Sequence, residues 1–215
     1  MPEIRALALD ADGVVQHWSV DELWARLEAI LGFVPATRDQ FVREVYEAER
    51  LALVGQADFA LMLEPVVARW GAAGKAARLA ADWGCSIEVD APLLELIGQV
   101  RARGICCALA TNQQSYRARY MRETLGYGRS FDRAFYSCEV GSRKPDLPYF
   151  EALVAGLGLA PQEILFIDDT EGNVAGARRA GLQAEHFVHA RGTSGAQKLA
   201  QLLQRFGVLE GTSFA

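Results

Sequence analysis

Long apolar runs are missing from this sequence. No stretch approaches the ~18 uninterrupted apolar residues that a membrane-crossing helix needs, so no membrane is expected as a partner. Basic charge is also short: 22 Lys and Arg stand against 27 Asp and Glu, a net charge of −5. Non-specific nucleic-acid binding needs a basic patch to neutralise phosphates, and that balance argues against it. Cysteines number four in 215 residues, and no two are spaced C-x-x-C. That excludes a disulfide framework and a zinc site of the usual spacing. Cys106 and Cys107 are adjacent in the apolar run ICCALA and, with Cys85 and Cys138, read as buried thiols of a reducing compartment. The opening MPEIRALALDADG has neither a basic n-region nor an h-region, so no secretory signal is read and the expected location is cytoplasmic. Lysine is the scarcest charge: Lys75, Lys144 and Lys198 are the only three among the 22 basic residues.

The remaining composition, 51% hydrophobic and 23% charged, is that of a soluble globular chain long enough for one domain with an insertion. Short apolar runs end in polar or acidic residues: Ile4 to Asp12, Ile105 to Asn112, Ala134 to Cys138, Ile164 to Asp169 and, as a fifth candidate, Ala184 to Val188. Helix-period stretches separate them, at Pro92 to Arg103, Ser115 to Leu125, Leu147 to Leu157 and Val174 to Ala180. Strands alternating with helices predict an α/β fold with a parallel sheet covered on both faces. One interval breaks the rhythm. Between the first two strands, Val20 to Leu31, Thr37 to Leu53, Asp58 to Trp70 and Ala76 to Ala81 all read as amphipathic helices. The expected organisation is therefore a Rossmann-like core over 1–15 and 89–215, with an all-helical, acidic insertion over 16–88.

In an open α/β sheet, ligands bind beyond the carboxyl ends of the strands. Those ends present Asp10, Asp12, Thr111, Asn112, Asp168 and Asp169. Carboxylates gathered at one edge repel one another unless a cation lies between them, and Mg²⁺ is the natural oxygen-seeking choice. A strand-end carboxylate can also act as a covalent nucleophile, with a hydroxyl and a lysine holding a transferring phosphoryl group. Lys144, followed by Pro145, is the lysine near such a position.

DADGVV at 10–15, TN at 111–112, KP at 144–145 and DDTEGNVAGARRAG at 168–181 resemble the four ordered motifs of the haloacid dehalogenase superfamily. The insertion after the first motif is similar to that superfamily's α-helical cap. The resemblance implies Asp10 as nucleophile, forming an aspartyl-phosphate, and Asp12 as general acid and then base. It implies that Thr111, the Asn112 backbone and Lys144 hold phosphate oxygens. Mg²⁺ would sit between Asp10, the Asp12 carbonyl and Asp169, with Asp168 bound directly or through water. Gly13 would let the chain turn into the insertion, and Asn173 would support the loop after Asp169. His17 and Trp18 follow the first motif and read either as cavity lining or as hinge packing. Lys75, in a glycine-rich loop, reads as a surface residue, and Trp24, Trp70 and Trp83 as core. The implied activity is Mg²⁺-dependent hydrolysis of a small phosphorylated metabolite. A sugar-phosphate mutase, a dehalogenase (which lacks the second acid of the first motif) and a non-catalytic interaction module are the rival readings.

Overall fold

The computed structural model describes residues 2–32, 37–188 and 193–210. Seven strands form there: β1 (Ala6–Leu9), β2 (Gln16–Trp18), β3 (Ile87–Val89), β4 (Cys106–Thr111), β5 (Arg133–Tyr136), β6 (Ile164–Asp168) and β7 (Gln183–His186). The larger sheet has five parallel strands in the order β5-β4-β1-β6-β7. Every strand read from the sequence is present with shifted ends: β5 and β7 each start one residue earlier than their runs, the Ala134 to Cys138 run stops at Tyr136, and Ser137–Val140 turns as a short helix instead. Among the described residues no helix is long and apolar enough to cross a membrane.

Alternation along the central strands explains why two layers of helices can cover them. Leu7, Leu9, Cys107, Leu109, Leu165 and Ile167 point to one face. Ala6, Ala8, Ala108, Ala110, Ile164 and Phe166 point to the other. A period of two puts successive side chains on opposite faces. The bulky face packs on α5 (Ala91–Ala102) and α11 (Thr193–Arg205). The alanine face leaves room for Tyr149, Phe150 and Leu153 of α9 (Leu147–Leu157) and Val174 and Ala177 of α10 (Glu171–Arg179).

Among the described residues, the interval between β2 and β3 carries four α-helices: α1 (Val20–Leu31), α2 (Arg38–Glu49), α3 (Phe59–Arg69) and α4 (Ala76–Cys85). Leu27, Phe41, Phe59, Leu63, Val67, Leu79 and Trp83 form a hydrophobic cluster of their own there, separate from the two clusters on the sheet. The all-helical expectation needs one correction. β2 and β3 pair antiparallel, Gln16 with Val89 and Trp18 with Ile87, so a two-stranded ribbon brackets the helices. Strands of three residues are too short for alternation to announce them. Ser115 to Leu125 also departs from a uniform helix: α6 (Ser115–Arg119) runs into a π-helical turn over Tyr120–Thr124.

α10 approaches the Lys144–Pro145 segment very closely. A Cβ at Gly176 would lie 2.6 Å from the Pro145 carbonyl oxygen and 2.9 Å from the Phe150 ring. Gly176→Ala gains about 1 kcal/mol of helix propensity but overpacks a site bounded by backbone, at a cost of about 1–3 kcal/mol. The expected net result is a lower urea midpoint, measured against wild type by circular dichroism.

Candidate active site

The carboxyl ends of β1, β4 and β6 open on one cavity of about 470 Å³. Asp10, Asp12, Gly13, Thr111, Asn112, Lys144, Asp169 and Asn173 line it, with His17, Trp18, Gln113 and Thr170. His17 and Trp18 thus both line the cavity and belong to the ribbon strand β2. Lys75 is exposed and lies elsewhere, its ammonium 3.5 Å from the Ile30 carbonyl. Trp83 is buried within the helical cluster, with Trp24 and Trp70 packed against it.

Lys144 is the floor of the site. Its side chain is 1% exposed, and Nζ lies 2.9 Å from Asp10 Oδ1 and 2.6 Å from Asp168 Oδ2. Burial works to lower the lysine pKa, but the two carboxylates outweigh it and hold the ammonium above its usual range. Asn112 keeps this segment in place: its side-chain amide donates to the Lys144 carbonyl at 3.0 Å, and its Oδ1 accepts from the Lys144 N–H at 2.9 Å. The Asn112 side chain is thereby engaged with the protein.

The paired aspartates differ sharply. Asp168 is fully buried; it accepts from Lys144 and from Asn173 on Oδ2 and from the Thr170 N–H and Asn173 on Oδ1. Asp169 is exposed at the cavity, and among the described residues its carboxylate accepts from the Thr170 hydroxyl alone, at 3.3 Å. Asp10, Asp168 and Asp169 offer oxygens that all lie within 4.8 Å of one another. Burial raises the Asp10 carboxyl above its usual range; Lys144 opposes this and Asp168 adds to it. Burial and then the Asp168 charge raise Asp169 likewise. Three acids against one ammonium leave a local excess of negative charge, and an all-oxygen donor set of this kind suits a hard divalent cation. Gly13 has φ +75°, and a Cβ there would run into the Asp169 carboxylate. It permits the turn and also leaves room for Asp169.

Asp12 stands in different surroundings from Asp10, although two residues apart on a regular strand would share a face. The strand ends at Leu9, and a turn follows in which Ala11 O accepts from the N–H groups of Val14, Val15 and Gln16. Asp12 Oδ1 accepts from Arg117 at 2.6 Å and from Gln16 at 3.0 Å, and Oδ2 from Gln113 at 2.8 Å. Burial works to raise the Asp12 pKa; the Arg117 charge and these donors overcome it and hold the carboxylate low.

Arg117, Gln16, Gln113 and Glu49 were not legible as site residues. Gln113 had one signal, its place immediately after a strand-end motif. Glu49 closes α2 and is 8% exposed; burial pushes it up to about 7, with Arg117 opposing and Asp12 reinforcing the rise.

A sequence model of the family described as haloacid dehalogenase-like hydrolase matches residues 4–181. The chain belongs to this family. Among curated relatives of this haloacid dehalogenase-like hydrolase, the sesquiterpene phosphatase astK of Aspergillus oryzae is 28% identical over 110 residues, 51% of this chain and 56% of astK. The phosphoglycolate phosphatase of Rhodospirillum rubrum is 33% identical over 89 residues, 41% of this chain and 37% of that enzyme. The matches therefore span little more than half of the first relative and less of the second. In fold, the hydrolase superposes on the HAD family enzyme bt-2542 of Bacteroides thetaiotaomicron with a TM-score of 0.76 at 17% identity, covering 92% of this chain and 99% of that one. That wild-type enzyme has also been solved with magnesium and inorganic phosphate, superposing with a TM-score of 0.71 at 19% identity over 85% of this chain and 93% of that one.

The Glu49 environment sets a pH dependence of stability. Its folded pKa of about 7 lies above its ordinary 4.5. Below the ordinary value both states hold the proton, and nothing is lost. As pH rises towards the folded value the unfolded chain ionises first, so stability falls, and the full penalty stands above it. Glu49→Gln should therefore raise the thermal midpoint at pH 8 and leave it nearly unchanged at pH 4.5. A lower midpoint at pH 8 would show that the ionised form is favoured in the fold.

Proposed function

We propose that the protein is a Mg²⁺-dependent phosphatase of small phosphate monoesters, acting through an aspartyl-phosphate on Asp10. The carrying observation is the Asp10–Lys144 pair, 2.9 Å apart, on the floor of a cavity that Asp12, Thr111 and Asp169 also line. Lys144 neutralises the charge that builds on the phosphoryl group, and Thr111 Oγ and the Asn112 N–H contribute donors. Electrostatic stabilisation of this kind is the largest share of catalysis in phosphoryl transfer. Asp10 Oδ1 accepts from the Ala11 N–H at 2.7 Å and pairs with Lys144, leaving Oδ2 for the attack on phosphorus. Asp12 relays one proton: its surroundings favour the ionised form, so it must first take up the proton that it gives to the leaving oxygen, and the water that then cleaves the phosphoenzyme returns one. That second acid is the feature that favours a phosphatase over a dehalogenase. The phosphatase names of two relatives support the reaction class. We assign the helices α1–α4 as the cap that covers the site, and the cytoplasm as its place of action.

Asp10, the Asp12 carbonyl and Asp169 are the residues we assign to Mg²⁺. When bound, the cation screens the carboxylate cluster and the phosphate from each other. Asp168 already accepts four hydrogen bonds from the protein, so its work is to hold Lys144, with any part in metal binding through water.

Two experiments test this. A screen of phosphorylated metabolites with Mg²⁺, read as free phosphate, should find turnover, and Asp10→Asn should abolish it by several decades while circular dichroism stays unchanged. More than about a tenth of the rate retained would exclude Asp10 as nucleophile. Second, Asp169→Ala should raise the Mg²⁺ concentration for half-maximal rate, whereas Asp168→Ala should mainly lower the thermal midpoint. Full activity in excess EDTA would remove the metal from the scheme.

A further inference from the structure

Three separate parts of the chain meet on one buried side chain. Arg117 is 1% exposed, and its Nη2 donates to Asp12 Oδ1 at 2.6 Å. Its Nη1 donates to the Trp83 carbonyl at 3.3 Å, in the last turn of α4. The guanidinium also lies 3.8 Å over the ring centre of Trp18 in the ribbon strand β2. Nε has no hydrogen-bond partner among the described residues. A buried guanidinium with an unpaired N–H is costly, and packing alone would be better served by an apolar side chain. The opposite oxygen of Asp12 is held by Gln113, whose amide is also 3.1 Å from Thr111 Oγ1.

We propose that Arg117 is a positioning residue that ties the seating of the helices α1–α4 to the placement of Asp12; this rests on the phosphatase reading, with Asp12 as base for water. One arm of its planar fork aims Asp12 at the cavity, and the other reports where the end of α4 stands. A shift of α4 pulls the same rigid group and carries Asp12 with it. Lysine cannot substitute, because one ammonium does not hold two divergent acceptors and stack on an indole at once.

A second contact between these helices and the sheet domain provides an independent handle. Gly55, φ +69°, sits against the Cys138 carbonyl, where a Cβ would collide, and Asp58 accepts from the Tyr116 hydroxyl at 3.3 Å. Gly55 is not among the residues lining the active-site cavity. Gly55→Ala should therefore unseat the helices without touching Asp12. Tyr116→Phe is the gentler alternative should Gly55→Ala unfold.

The experiment is rapid-mix kinetics with p-nitrophenyl phosphate and Mg²⁺ on Arg117→Met, Arg117→Lys, Gly55→Ala and the Arg117→Met/Gly55→Ala pair. Both Arg117 variants should give a burst of phenol and a steady state slowed about tenfold or more, with KM falling alongside kcat and kcat/KM kept within about threefold of wild type, because the loss falls on hydrolysis of the phosphoenzyme. Gly55→Ala should show the same burst, and the double variant should be no slower than Arg117→Met within about a factor of two. Folded variants with no burst, or losses that multiply, overturn the proposal. A second readout is independent of turnover: the ¹³C signal of the Asp12 carboxyl, assigned with Asp12→Asn. It should move on Gly55→Ala when Arg117 is present and stay fixed in the Arg117→Met background. No movement in either background refutes the link even if the enzyme is inactive on every ester, whereas such inactivity with the expected movement refutes the phosphatase reading alone.

Discussion

A buried ammonium between two buried carboxylates organises this molecule. Lys144 is buried because Asp10 and Asp168 both pair with it, and neither acid tolerates its place without Lys144. Removing Lys144 leaves two buried carboxylates uncompensated, at a cost of about 3–5 kcal/mol. Each motif segment has a share in keeping the group whole. Asn112 clamps the Lys144 backbone, while Asn173 and the Thr170 N–H cover the remaining lone pairs of Asp168. The sheet order β4-β1-β6 brings the three strand ends side by side, so sheet, loops and charge cluster are mutually dependent.

The sequence carried the sheet and its acid-bearing edge clearly because both are local. Apolar runs ending in Asp10, Thr111 and Asp168 mark strand and strand end within a few residues, and Lys144 stood out by rarity. The ring around Asp12 had no such mark. Arg117 reaches it across 105 positions and Gln113 across 101, contacts that exist only after β4 and α6 are folded beside the first turn. Helical spacing from Phe41 and Val45 does put Glu49 on the buried face of α2, but an acid in a helix that also holds Glu44 and Glu47 reads as solvated, and that masks the signal. The β2–β3 ribbon escaped for want of length.

The adjacent aspartates illustrate what adjacency cannot decide. Asp168 is the last residue of β6 and stays with the buried face, whereas Asp169 follows the chain out to the cavity. Two identical side chains one position apart thus have opposite situations, one saturated by protein donors and one open. Gly13 adds a steric term, since any side chain there would occupy the space of the open one.

The alternation of alanine with leucine along β1 has a consequence for fidelity of assembly. Slipping β1 by one residue against β6 would keep most of the parallel hydrogen bonds yet reverse the direction of every side chain. Asp10 would then face α5 and α11, away from Lys144. The same slip would drive Leu7 and Leu9 into the space filled by Tyr149 and Phe150, and leave hollows where the leucines had been. Steric sorting deep in the sheet, far from the cavity, is therefore a proofreading device: a misregistered chain is penalised as a fold before it could present a broken acid cluster.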